Sequence, residues 1–108
     1  MAVRIPGKTT GHDVTAVHAG RKVVAAAATA ERLVSSSTPA KLLLLTAETD
    51  NTGVMAWGDS GVIATVLTRV GQPLLAGDSS PWIPVDDLYD IYLDATVNGD
   101  GCNFVYLT

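Results

Sequence analysis

The sequence is poor in the residues from which catalytic and metal sites are built. Its 108 residues include one cysteine, Cys102, and two histidines, His12 and His18. A single thiol forms no internal disulfide and no metal framework. The chain therefore suits a reducing compartment, and Cys102 reads as a small buried apolar residue. A zinc site needs more ligands than two histidines at defined spacing, so both read as solvated or partner-facing. Long apolar runs are also missing. The longest, residues 23–28 and 42–45, fall far short of the ~20 residues that cross a bilayer. Residues 1–7 lack the apolar core of a signal peptide. The expectation is a protein folded in a cytoplasm, with no membrane partner.

The short motifs that suggest chemistry lack its context. Gly-Asp-Ser occurs at 58–60 and 77–79, but no general base lies near Ser60 or Ser79 in sequence. Nor does the Gly-x-Ser-x-Gly setting of a nucleophile elbow. Gly7-Lys8-Thr9-Thr10 has no upstream glycine at phosphate-loop spacing. Asp86, Asp87 and Asp90, and Asp50 with Asn51, would be the carboxylate clusters for calcium. They lack EF-hand spacing, and turns in β proteins use the same residues for backbone hydrogen bonds. Trp57 and Trp82 could form a sugar platform if exposed, although a tryptophan in a small sandwich usually lies in the core. No enzyme, cofactor or metal site is expected.

What the chain does have is charge sorted by position. Residues 1–41 hold six basic side chains against two acidic ones, a balance of +4. Residues 42–108 hold only Arg69 against nine acids, a balance of −8. The acidic body would repel nucleic acid. The sorting suits a basic arm laid on a partner, with an acidic body presented outward. Only 17% of residues are charged, 47% are hydrophobic, and the mean hydropathy is +0.27. That balance is apolar for a small monomer, so another chain is expected to cover part of the surface.

Residues 1–20 show no sustained period and read as an N-terminal arm, either ordered by a partner or frayed. Residues 21–108 read as the folded domain. The alanines in 21–35 favour a helix by propensity. The missing N-cap and the Gly20-Arg21-Lys22-Val23 entry favour two short strands, at 22–27 and 31–34. Residues 41–47 read as a central buried strand. Asp50-Asn51-Thr52-Gly53 then turns into a strand at 54–57, giving a hairpin. Residues 62–67 give a further strand, broken by Gly71-Gln72-Pro73. Pro84 confines the 82–85 strand to an edge. Residues 90–97 alternate with period two. Asn98-Gly99-Asp100-Gly101 reads as a hairpin loop into the last strand, 103–107. Seven or eight strands at this spacing predict an all-β fold, a small β-sandwich of jelly-roll type with an extended N-terminal arm.

Five segments carry a resemblance. They are Thr46-Ala-Glu-Thr-Asp-Asn-Thr-Gly53, Ala56-Trp-Gly-Asp-Ser60, Gly71-Gln-Pro-Leu-Leu-Ala-Gly-Asp78, Ile83-Pro-Val-Asp-Asp-Leu88 and Ile91-Tyr-Leu-Asp-Ala-Thr-Val-Asn-Gly99. In order and turn placement, the chain from Ala40 to Leu107 resembles the small all-β virion proteins of tailed bacteriophages, of the capsid decoration or cement type. The resemblance implies a structural protein with no catalytic residues. It implies the major capsid protein as partner, self-association as a trimer, and a place on the capsid surface after synthesis in the bacterial cytoplasm. Arg4, Lys8, Arg21 and Lys22 are then the candidates to meet acidic capsid surface. A head–tail, neck or tail component and a carbohydrate-binding fibre module using Trp57 or Trp82 are the alternative expectations.

Overall fold

Period-two burial along the chain builds the core. Leu43, Leu45 and Ala47 alternate inward from one strand, Cys102 and Phe104 from another, and all are buried. The computed structural model describes residues 14–108. Their strands are β1 (Val17–Val23), β2 (Glu31–Arg32), β3 (Leu42–Ala47), β4 (Met55–Gly58), β5 (Gln72–Leu74), β6 (Ile83–Pro84), β7 (Tyr92–Ala95) and β8 (Gly101–Leu107). A 3₁₀ turn, Leu88–Asp90, precedes β7. No α-helix occurs among the described residues; of the strands expected at 22–27 and 31–34, only residues 22–23 and 31–32 are extended, and the alanines between them form a turn.

The strands form two four-stranded sheets, ordered β1-β8-β3-β6 and β2-β7-β4-β5, with every pair antiparallel. This is the expected β-sandwich. The pairing is also nested: β1 with β8, β2 with β7, β3 with β6 and β4 with β5. The main core lies between the sheets, with Leu43, Leu45, Met55, Leu74, Leu88 and Leu93 almost fully buried. Each such side chain contributes about 1.5–3 kcal/mol through burial. Thr15 and Ala16 both donate their amides to the Thr108 carbonyl, which pins the start of the described chain beside its end.

Several sequence expectations change. β1 begins at Val17, inside the segment read as an arm, and its register with β8 runs from Val17 opposite Leu107 to Val23 opposite Gly101. Its alternation was hidden because its inward positions are His18, Gly20 and Lys22 rather than apolar residues. Gly20 is required there. A Cβ at this position would stand 2.4 Å from Cζ of Phe104, whose ring covers the glycine.

Neither expected hairpin forms. β3 and β4 belong to different sheets, as do β7 and β8. The two Asp/Asn/Gly turns are corners between sheets, and they fasten to each other. Asp100 accepts the amides of Thr52 (3.1 Å) and Gly53 (2.9 Å), and the Asn51 side chain exchanges hydrogen bonds with the Gly101 backbone. Residues 62–67 are not a strand. They contribute one isolated bridge, Ile63 with Val70, to a loop that folds back on the sheet. Conversely, Gln72-Pro73-Leu74 is not a break but β5. Pro73 is tolerated because β5 is an edge and a proline there need not donate to a ladder.

Candidate functional site

The two sheets differ in what covers their outer faces. On the β2-β7-β4-β5 sheet, the chain covers itself. The loop from Asp59 to Val70 folds over β4 and β7, burying Ala56, Val62 and Ala64 against Ala30 and Tyr92. Asp94, 1% exposed, anchors this flap. Its carboxylate accepts the Ala64 amide and its neighbour's amide, Ala95, both at 2.8 Å. Arg69 donates from Nε to the Ala64 carbonyl at 3.0 Å, tying the returning limb to the same point. The tip is a turn closed by Thr68 on Thr65. There Leu67 takes φ of 77° and is 98% exposed. A non-glycine residue in that region is strained by about 1–3 kcal/mol.

On the other sheet, apolar residues run outward as well as inward. Leu42 and Leu44 of β3 stand opposite Leu107 and Val105 of β8. Those in turn stand opposite Val17 and Ala19 of β1. Pro84 stands beside Leu42 on β6, and Trp82, 45% exposed, precedes it. An antiparallel sheet that faces water on one side normally alternates apolar with polar residues. β3 and the end of β8 do not. Leu42 is buried and Leu44, Val105 and Leu107 are half-buried, while Val17 and Trp82 stand exposed and carry the open apolar surface of this face. It is therefore the strongest candidate for a contact surface.

The predicted contact residues divide. Arg4 and Lys8, like His12, lie outside the described residues. Arg21 points outward from β1 and holds Glu48 through two hydrogen bonds, from Nη2 to Oε1 at 2.9 Å and from Nε to Oε2. The shared proton donors hold Glu48 below the usual carboxylate range and push Arg21 up. Lys22 points to the inner side and pairs with Glu31 at 3.0 Å. Burial pushes Glu31 up. The Ala26 amide, Lys22 and the Ala25 amide outweigh it, and the carboxyl ends below its ordinary value. Both cations are thus engaged within the fold, at opposite faces of β1.

The two tryptophans share no platform. Trp57 is half-buried against the main core, and its indole N–H donates to Gln72 Oε1 at 2.7 Å. Trp82 alone presents an exposed ring.

The remaining chemical candidates have structural duties. Burial pushes the Cys102 thiol up to about 12, and it donates to the Asn103 carbonyl, so no thiolate forms at neutral pH. His18 stacks on Tyr106 with ring centroids 4.9 Å apart, and its Nε2 lies 3.2 Å from Thr108 Oγ1. Asp87 accepts from Ser37 and from the amides of Thr38 and Tyr89, which together hold its carboxyl below the usual range. Among the described residues, no group of three or more His, Cys, Asp or Glu side chains is placed to hold a metal ion.

Among the described residues an open groove of about 470 Å³ lies between Lys22, Glu31, Arg32, Val34, Ser35 and Tyr89. Its Arg32 guanidinium lies over Tyr89 at 3.7 Å and 4.8 Å from the Tyr92 centroid, and donates to the Tyr89 carbonyl. Sequence reasoning missed this stack, because nothing in residues 31–35 or 88–92 shows that β2 and β7 pair. The groove carries an ion pair, a stacked cation and the Ser35 side chain, with no histidine or cysteine in its lining. Compared with protein-family models, curated proteins and solved structures, the chain matches none.

Proposed function

We propose that this chain is a virion structural protein of a tailed bacteriophage, a decoration protein that binds the outer capsid lattice and stabilises the head. The observation that carries the reading is the apolar outer face of the β1-β8-β3-β6 sheet, on a sandwich whose other face is closed by its own flap. Adhesion by such a face comes from apolar burial, and repetition over a lattice multiplies a weak contact. The nested pairing of the two sheets supports the jelly-roll reading, an architecture used by capsid proteins and also by lectins. That analogy adds to the resemblance in turn order but does not identify a function by itself. The partner is the major capsid protein, and association of the chain with itself as a trimer follows from the same resemblance. The virion surface is then its location.

Co-sedimentation with expanded capsids tests this reading. Binding at one copy or more per lattice position supports decoration. A stoichiometry fitting a single ring points to a neck or tail component. Leu44→Glu places a carboxylate in the middle of the face. It should leave the circular dichroism spectrum intact and abolish co-sedimentation. Unchanged occupancy by this folded variant removes the face from the contact. The exposed ring of Trp82 supports a second reading, a carbohydrate-binding fibre module. Glycan binding that Trp82→Ala removes would favour it over decoration. Trp57, with its N–H committed to Gln72, is not part of that platform.

A further inference from the structure

Three of the four sheet edges are blunted. β2 is two residues long, β6 is two residues long and ends in Pro84, and β5 is three residues long with Pro73 at its centre. Short strands and prolines are the usual defences against edge-to-edge pairing. β1 has neither. It is seven residues long and contains no proline, and β8 is the only strand paired with it among the described residues.

The register shows which backbone groups are left over. Ala16 and Thr108 exchange both hydrogen bonds, and Val24 donates to the Asp100 carbonyl. In an antiparallel pair the bonded positions alternate, so His18, Gly20 and Lys22 bond to β8. The N–H and C=O groups of Val17, Ala19, Arg21 and Val23 point to the open edge.

We propose that β1 pairs antiparallel with β1 of a second copy across a two-fold axis at Gly20. The outward groups match under this operation. Val17 meets Val23 of the partner copy, Ala19 meets Arg21, and each pairing repeats on the other side of the axis. The parity allows about eight inter-chain hydrogen bonds. The side chains match too. On the outer face valine meets valine, and alanine meets an arginine already neutralised by its own Glu48. On the inner face His18 meets Lys22, which its own Glu31 holds. Gly20 meets Gly20 on the axis, so nothing crowds the crossing. No two uncompensated like charges stand directly opposite, the condition that destabilises a strand pair. The result is one eight-stranded sheet, in which the apolar outer faces of two copies become continuous. The contact is isologous. It adds a two-fold to any three-fold association and does not depend on the capsid reading.

Light scattering on the purified full chain tests it. The mass should correspond to an even number of chains. Ala19→Pro removes an outward N–H and leaves the β8 ladder intact, so it should halve that mass with the β-sheet spectrum retained. Because a proline could unfold the strand, a charge exchange provides a second arm. Val17 and Val23 are 70% and 37% exposed, so both tolerate charge. Val17→Lys with Val23→Lys sets like charges opposite each other and should halve the mass. Val17→Lys with Val23→Glu sets opposite charges there and should restore it. A wild-type mass of one or three chains overturns the proposal, as does a mass indifferent to all three variants. A monomer that binds capsids and loses them on Ala19→Pro would also overturn it, since the added strand would then come from another chain.

Discussion

Replacing Asp94 tests why one face of the sandwich is closed. Its carboxylate is 1% exposed and accepts two backbone amides at 2.8 Å, from Ala64 in the flap and from Ala95 on its own strand. Asp94→Ala leaves both donors without an acceptor in a buried setting. A buried donor left unpaired costs about 1–3 kcal/mol, so two cost about 2–6, and water reaching the loosened flap relieves part of this, leaving an expected loss of about 2–4 kcal/mol. For a domain of this size that is a fall of roughly 10–25 °C in melting temperature. Asp94→Asn keeps one acceptor oxygen and turns its amide toward the other donor, so it should fall between wild type and Asp94→Ala. The effect should also be local. With Ala64 released, Arg69 loses the carbonyl position it binds, and Ala56 and Val62 lose their cover. Urea unfolding gives the global change. Limited proteolysis between Thr65 and Arg69, well below the unfolding midpoint, gives the local one. A variant within about 0.5 kcal/mol of wild type, the range of ordinary surface changes, and cleaved there no faster, would refute the argument that this carboxylate holds the flap.

Two further predictions follow from β1 and its neighbours. Gly20→Val drives a branched side chain into the Phe104 ring, and overpacking of this kind costs about 1–3 kcal/mol. Chemical denaturation should show it, and Phe104→Leu in the same chain should recover part of the loss. The second concerns acid. Glu31, Glu48 and Asp87 all have carboxyls held below their ordinary range in the folded state. A depressed folded value means stability that is fully present above the unfolded value, about 4 for carboxylates, and that fades as pH falls through the folded one. The urea midpoint should therefore be flat from pH 7 to 5 and fall toward pH 3. Glu31→Gln should flatten part of that fall, and a fall of the same steepness in the variant would refute Glu31 as a contributor.

Element type was legible in this sequence where burial imposes period two, and element pairing was not. β3 and β7 could be placed because their inward residues are apolar and their neighbours punctuate them with Asn, Asp and Gly. The same punctuation serves a hairpin and a corner between sheets equally well, since both need a tight reversal and backbone capping. The difference lies in contacts such as Asp100 with Thr52 and Gly53, which join residues far apart in sequence. β1 was illegible for another reason. Strand signals assume an apolar inner face, and the inward residues of β1 are His18, Gly20 and Lys22, which meet Tyr106 and the Phe104 ring of β8 and Glu31 of the opposing sheet instead. The flap misled in the opposite direction. Val62 and Ala64 are buried, but beneath a loop and against the outside of the sheet rather than within a ladder.

The sorted charges need the same correction. Read along the chain, the basic segment invites an acidic partner. Read in space, Arg21 lies beside Glu48 and Lys22 beside Glu31, so much of the charge complementarity of residues 14–41 is internal. Surface pairs of this kind contribute little stability, about 0–1 kcal/mol each, yet they neutralise β1 along its length. An edge strand is normally protected by bare charge that another strand cannot accommodate. Here the charges at Arg21 and Lys22 are already satisfied, Ala19 and Gly20 separate them from His18, and valines flank the segment at both ends. The neutralised edge and the apolar outer face belong to the same sheet. A contact through either one therefore extends the other.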